Sequence, residues 1–183
     1  MMKFTETSIK DVLVIEPTVF EDQRGFFMEA YHFQRYAEAG ISTVFVQDNQ
    51  SLSIKGTLRG LHYQVAHVQG KLVRAVRGSI FDVAVDLRRS SPSFGKWVGV
   101  ELSAENKNQL WVPPCFAHGF YVLSDQAEVL YKTSDYYDPQ AERCIMWNDP
   151  DIGIEWPIDP QAPLLLSSKD QAGVNFKQAE VFE

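Results

Sequence analysis

Between residues 41 and 132 the chain contains no segment with the 3.6-residue apolar period of an amphipathic helix. No other feature restricts its fold so much. That stretch is instead made of short runs that alternate residue by residue, broken by Gly, Pro, Asn and Ser. In SIFDVAVDL, Phe81, Val83, Val85 and Leu87 share one face, and Ile80, Asp82, Ala84 and Asp86 share the other. KLVRAVR alternates likewise, and Gly78 with Ser79 turns it into that next strand. Further strands are expected at Thr43–Gln47, Leu58–Gln64, Lys96–Leu102, Gln109–Val112, His118–Leu123 and Ala127–Thr133. Many short strands at spacings of roughly 8–12 residues mean a sandwich or barrel rather than βαβ units. A jelly roll of eight or more strands fits the length. The one helix expected before the barrel is Ala30–Ala39, stopped by Gly40. At the C-terminal end, SSKDQAG reads as a loop and NFKQAEVFE as a short helix packed on the barrel.

With 183 residues and no linker-like break or repeat, one domain spanning 1–183 is expected. Such a chain buries enough surface to fold without staples. Its charge is -7, from 17 Lys and Arg against 24 Asp and Glu. That sign argues against binding nucleic acid or an anionic membrane through a general positive field. An anionic ligand would need a local cluster of Arg and Lys. The two cysteines, Cys115 and Cys144, form no disulfide framework and point to a reducing compartment. No apolar run has the length of a signal-peptide core or of a membrane span, so a cytoplasmic protein is expected.

Alternation also assigns faces to polar residues. Leu58, Gly60, His62 and Gln64 fall on one face of their run, with Arg59, Leu61 and Tyr63 on the other. Tyr131 shares a face with Ala127, Val129 and Thr133, and Lys71 with Val73 and Ala75. The small and apolar neighbours of His62, Tyr131 and Lys71 point all three inward. Taken singly, an inward His is a hydrogen-bonded core residue and an inward Tyr is packing. An inward Lys is harder to explain, because it is rarely buried without a partner. Together the three are an inventory for proton chemistry beside a developing anion.

Two spacings resemble the cupin motifs. Five residues separate Gly56 from His62, with Gln64 two further on, and six separate Lys71 from Gly78; later comes Pro113-Pro114-Cys115-Phe116-Ala117-His118. The resemblance implies a double-stranded β-helix, an all-β jelly-roll barrel with a few short peripheral helices. It does not extend to a cupin's metal. Gln64 stands where a second His would be, and Lys71 stands near the Glu position, where an ammonium repels a cation.

Longer runs are more specific: DQRGFF (from Asp22), VQDN (from Val46), LRGLHYQ (from Leu58), GKLVR (from Gly70), FDVAVDLRR (from Phe81), SPSFG (from Ser91), PPCFAHGF (from Pro113), AEVLYK (from Ala127) and WNDP (from Trp147). In that order they resemble the dTDP-4-dehydrorhamnose 3,5-epimerases, from about Asp22 to Asp170. One departure is Cys115, where the family usually has Gly.

The resemblance implies a dTDP-4-keto-6-deoxyhexose substrate. Its C3 and C5 both lie alpha to the C4 ketone, so the ketone is the electron sink and no cofactor is needed. On this reading His62 is the base, Asp170 the carboxylate behind it, Tyr131 the acid on the opposite face at C5, and Lys71 the cation beside the C4 oxygen. Arg59 and Lys169 match contacts to the diphosphate and sugar, with His118 also lining the substrate site. Gln47 and Asn49, with Asp48 between them, match contacts to the thymidine. Tyr137 matches the aromatic that stacks on thymine, and Glu142 a further binding residue. Arg24 and Glu29 match residues that reach in from a neighbouring subunit, which implies a homodimer. Arg88 and Arg89 read as structural ion-pairing. Three other readings are an epimerase acting at one carbon only, a metal-dependent cupin oxygenase, and a non-catalytic sugar-binding barrel.

Overall fold

Two antiparallel sheets face each other in the computed structural model, which describes residues 2–183. The first contains β1 (Lys3–Glu6), β2 (Leu13–Glu16), β5 (Gln47–Ile54), β7 (Lys71–Arg77), β10 (Gln109–Val112) and β12 (Gln126–Thr133). The second contains β6 (Leu58–Gln64), β8 (Ser79–Asp86), β9 (Trp97–Ser103), β11 (Phe116–Val122) and β13 (Glu142–Cys144). Their orders are β1-β2-β10-β7-β12-β5 and β13-β6-β11-β8-β9, so neighbours in space come from distant parts of the chain. A separate hairpin joins β3 (Val19–Asp22) to β4 (Gly25–Met28). This is the expected cupin-like jelly roll.

The main core lies between the sheets, where Val73, Ala75, Ile80, Ala84, Leu110, Phe120 and Val129 meet. Val83, Val85 and Leu87, the other face of β8, pack outward against Ile145, Trp97, Trp156 and Phe176. The two faces read from SIFDVAVDL are therefore both buried, one against each layer. A third cluster, around Tyr36, Ile41, Leu72 and Trp111, docks helix α1 (Phe33–Glu38) on the outside of the six-stranded sheet. Gly40 ends that helix with φ +91, a conformation glycine adopts without steric cost.

Several expectations need correction. Thr43–Gln47 is not a strand; pairing begins at Gln47 and runs to Ile54. The strand QDNQSLSI was missed because its polarity is reversed: Gln47, Asn49 and Ser51 line a cavity, while Leu52 and Ile54 are more than half exposed. The four strands before α1 were not anticipated either. SSKDQAG contains a short helix, α2 (Ser168–Gln171), and NFKQAEVFE yields only a 3-10 turn at Phe176–Gln178.

Arg59 also faces the other way. Strands β6 and β11 pair His62 with His118 and Arg59 with Phe120. Three steps on one strand answer two on the other, which is a β-bulge, and the extra residue reverses the alternation. It sits where two glycine backbones touch. A Cβ on Gly60 would lie 2.6 Å from the Gly119 Cα, and Gly60 has φ +140. Arg59 thereby joins His62 on the inner face.

Candidate active site

One end of the space between the sheets opens as a cavity of about 390 Å³. The second sheet contributes His62 and His118, which are cross-strand partners, and also Arg59. The first contributes Lys71, Tyr131, Gln47 and Asn49, with Tyr131 paired to both Asn49 and Val73. Helix α2 closes one side with Lys169 and Asp170. Tyr137 and Glu142 sit at the mouth.

The sequence preceding α2 explains Asp170. Ser167 caps this short helix, and the Asp170 carboxylate returns the contact in a capping box. Its Oδ2 accepts from the Ser167 N–H at 3.0 Å and from the Ser167 hydroxyl. Its Oδ1 accepts from the Gly60 N–H at 2.9 Å and from His62 Nε2 at 2.7 Å. The group is 3% exposed. Burial alone would raise its pKa, yet the donors from His62, Ser167 and Gly60 outweigh it and hold the carboxyl well below the usual range. A carboxylate so fixed selects the tautomer in which Nε2 carries the proton, leaving Nδ1 as the basic atom. Nδ1 is buried without a hydrogen-bond partner, and Glu142 Oε1 lies 3.7 Å away.

Lys71 is the buried cation anticipated from alternation. Its Nζ donates to the His62 carbonyl at 3.3 Å. Burial lowers its pKa to about 8, against the opposing pull of Asp82 and Glu142. Burial raises the pKa of Tyr131, partly offset by Arg59. Arg59 is steadied by Nε donating to Ser53 Oγ at 3.1 Å. Lys169 Nζ donates to Glu142 Oε2 and, at 3.1 Å, to the Tyr137 hydroxyl. The Glu142 and Tyr137 hydrogen bonds raise the Lys169 pKa, while Glu142 is held low by those donors despite its burial. An acidic protein thus concentrates Arg59, Lys71 and Lys169 around one cavity.

Two residues that hold groups of the site were not assigned a role from sequence. Asp82 accepts from His118 Nε2 at 2.8 Å and is fully buried. That it shares a face of β8 with Ile80 and Ala84 was legible, but its partner was not. Ser167 gave a signal too, since Ser-x-x-Asp is a capping-box spacing.

Asp48 must be removed from the cavity set. It alternates away from Gln47 and Asn49 and pairs with Lys132 at 2.8 Å on the outer surface. Arg24 and Glu29 also lie outside this chain's cavity. Arg24 pairs with Asp22 at the tip of the β3–β4 hairpin, and Glu29 pairs with Arg35 beside α1. Arg88 is structural as expected, bonding the buried Asp86 and also Asp11. Cys115, at the position where glycine is usual, has φ +70; even so, His118 stays in register with Ala84 and His62.

A cupin metal does not fit this interior. Gln64 Nε2 donates to the His67 carbonyl at 2.7 Å and its Oε1 accepts from the Asp138 N–H, so its amide clamps loops. Lys71 supplies a cation where a ligand would be needed, and His118 is bonded to Asp82.

A jelly-roll barrel with a carboxylate-oriented histidine, a tyrosine and a buried lysine around one cavity defines an enzyme of acid–base chemistry rather than a passive binder. The family model described as dTDP-4-dehydrorhamnose 3,5-epimerase matches residues 6–178, and the chain belongs to that family. A dTDP-4-dehydrorhamnose 3,5-epimerase of Pseudomonas aeruginosa is 58% identical over 182 residues, covering 99% of each chain. The crystal structure of a dTDP-6-deoxy-D-glucose-3,5-epimerase from Legionella pneumophila, in complex with dTDP-4-keto-L-rhamnose, matches with a TM-score of 0.95. It is 50% identical over 98% of this chain and 95% of that one. A 3'-monoepimerase from Streptomyces bikiniensis, in complex with dTDP-quinovose, is more distant, at 32% identity and a TM-score of 0.87, covering 94% and 87%.

Proposed function

We propose that this chain converts dTDP-4-dehydro-6-deoxy-D-glucose to dTDP-4-dehydro-L-rhamnose by inverting C3 and C5, a step of dTDP-L-rhamnose biosynthesis. The observation that carries the reading is the His62–Asp170 pair at 2.7 Å in the same cavity as Tyr131 and the buried Lys71. His62 takes the proton from the carbon alpha to the ketone, and Asp170 stabilises the imidazolium that forms. The electron pair moves onto the C4 oxygen, where the Lys71 ammonium meets the negative charge. Tyr131 then returns a proton to C5 from the other sheet, which inverts the centre. Two proton carriers on two facing sheets are what inversion requires. Arg59 and Lys169 answer the diphosphate, and Gln47, Asn49 and Tyr137 the thymidine.

Relatives that match along the whole length are 3,5-epimerases, which favours action at both carbons over a single-carbon epimerase. Turnover in deuterated water tests this: deuterium at both C3 and C5 is expected, and incorporation at one carbon only would refute it.

The same reading places the protein in the cytoplasm as a homodimer, with Arg24 and Glu29 completing the partner's site. Its support is an apolar surface with no cover in one chain. Phe20, Phe26 and Phe27 on the β3–β4 hairpin and Leu52 and Ile54 on β5 are each more than half exposed. No helix among the described residues is long and apolar enough to cross a membrane. Light scattering should give twice 20.8 kDa. An active monomer would overturn both the dimer and the shared site.

A further inference from the structure

Strand β13 pairs with β6 so that Cys144 lies directly across from His62. Cross-strand partners share a face, so this thiol looks toward the dyad. Donor atoms from Cys144, His62 and Asp170 all lie within 4.8 Å of one another. We propose that these three residues form a binding site for a borderline-soft divalent cation, zinc above all, and that its occupation switches the enzyme off. The site shares His62 with the cupin metal position but takes its other ligands from Cys144 and Asp170 instead of the Gln64 and Lys71 positions.

The donor set fits zinc by type and by number. Sulfur, imidazole nitrogen and carboxylate oxygen are its usual protein ligands, and three of them leave a fourth tetrahedral position open. His62 and Asp170 line the cavity, so an ion they hold can take water from it as the fourth ligand. The ion holds its donors at about 2.0–2.3 Å, which sets them about 3.5 Å apart, so donors within 4.8 Å close by little more than about 1 Å while the His62–Asp170 pair, at 2.7 Å, opens. Charge closes as well: one thiolate and one carboxylate neutralise a divalent cation, with the thiol proton released to solvent on binding. Asp170 is already deprotonated and fixed by Ser167 and Gly60, which leaves its geometry preset.

Cys144 has no part in the acid–base steps. It is a free cysteine whose contact is a long one, 3.6 Å, to the carbonyl of its neighbour Ile145. A bound ion would tie His62 to the cluster and break its link to Asp170, so the base could not cycle. The inhibitory half of the proposal rests on His62 being the base; the binding half does not.

Cys144→Ser removes the soft ligand while leaving all groups assigned to catalysis. Zinc added to the wild-type enzyme is expected to suppress deuterium wash-in reversibly, with a chelator restoring it. Cys144→Ser should turn over normally and need at least about tenfold more zinc for the same loss. Cobalt(II), used as an optical probe without substrate, should give a thiolate charge-transfer band in wild type and none in Cys144→Ser. Equal zinc sensitivity of the two proteins, or no band in wild type, overturns the site. A band with undiminished wild-type turnover overturns the inhibition and locates the fault in His62 as the base.

Discussion

Asp170→Asn replaces one carboxylate oxygen with an amide and keeps the shape. The wild-type side chain accepts four hydrogen bonds, two at each oxygen. Asparagine has one acceptor oxygen, so its amide group must face one pair of donors. Facing Ser167, it meets a hydroxyl that can rotate to accept and one N–H that cannot. Facing His62, it would reverse the imidazole tautomer and occupy the basic atom. The first orientation costs less, so the expected variant keeps the tautomer but loses the charge behind the imidazolium. A lower bound on the loss is the difference between charged and neutral hydrogen bonds, about 1.4 kcal/mol or tenfold. An upper bound is the Coulomb energy of a unit pair at 4 Å near a protein surface, about 4 kcal/mol or roughly a thousandfold. Wash-in at C3 and C5 should therefore fall by about 10–10³-fold, with little change in KM. The orphaned Ser167 N–H should cost about 1–3 kcal/mol of stability, seen in calorimetry as several degrees of Tm. A folded Asp170→Asn enzyme with wild-type wash-in would refute the argument that this carboxylate supports the base.

Further outcomes are expected at three other residues. Tyr131→Phe should let wash-in continue at C5 from the His62 side while inversion there stops, read from the proton spectrum of the product; full inversion at normal rate would sink Tyr131 as the acid. Activity should fall as pH rises through about 8, where Lys71 loses its proton. Lys71→Met should abolish that limb and lower turnover by about 10²–10³-fold. Because the folded pKa of Lys71 lies below the usual 10.5, its charge opposes folding below about pH 8. That opposition is relieved as pH rises toward 10.5, so Lys71→Met should be more stable at pH 7 by up to about 3 kcal/mol, measured by denaturant titration. Cys115→Gly should raise stability by about 1 kcal/mol, since the φ of +70 strains any residue with a Cβ; no gain in Tm would show that the thiol's contacts offset the strain.

Alternation alone determined that the chain is a β barrel, which face of β8 carries Asp82, and that Lys71 and Tyr131 point inward. Those are properties of a two-residue period, and a strand expresses them wherever its partner comes from. The same period misplaced Arg59, because the bulge at Gly60 depends on the backbone of Gly119, nearly sixty residues away. It also missed β5, since a strand recognised by apolar residues facing inward disappears when the inward face is a polar cavity wall and the apolar residues face out. The resemblance to known epimerases supplied the partnership of Asp170 with His62. Tertiary structure supplied its reason: a helix-capping carboxylate 108 positions away is turned toward β6 and so fixes the ring. Cys144 beside that dyad was invisible beforehand. Registry between β13 and β6 is a pairing within one sheet of segments about eighty residues apart, and no local pattern in either strand encodes it.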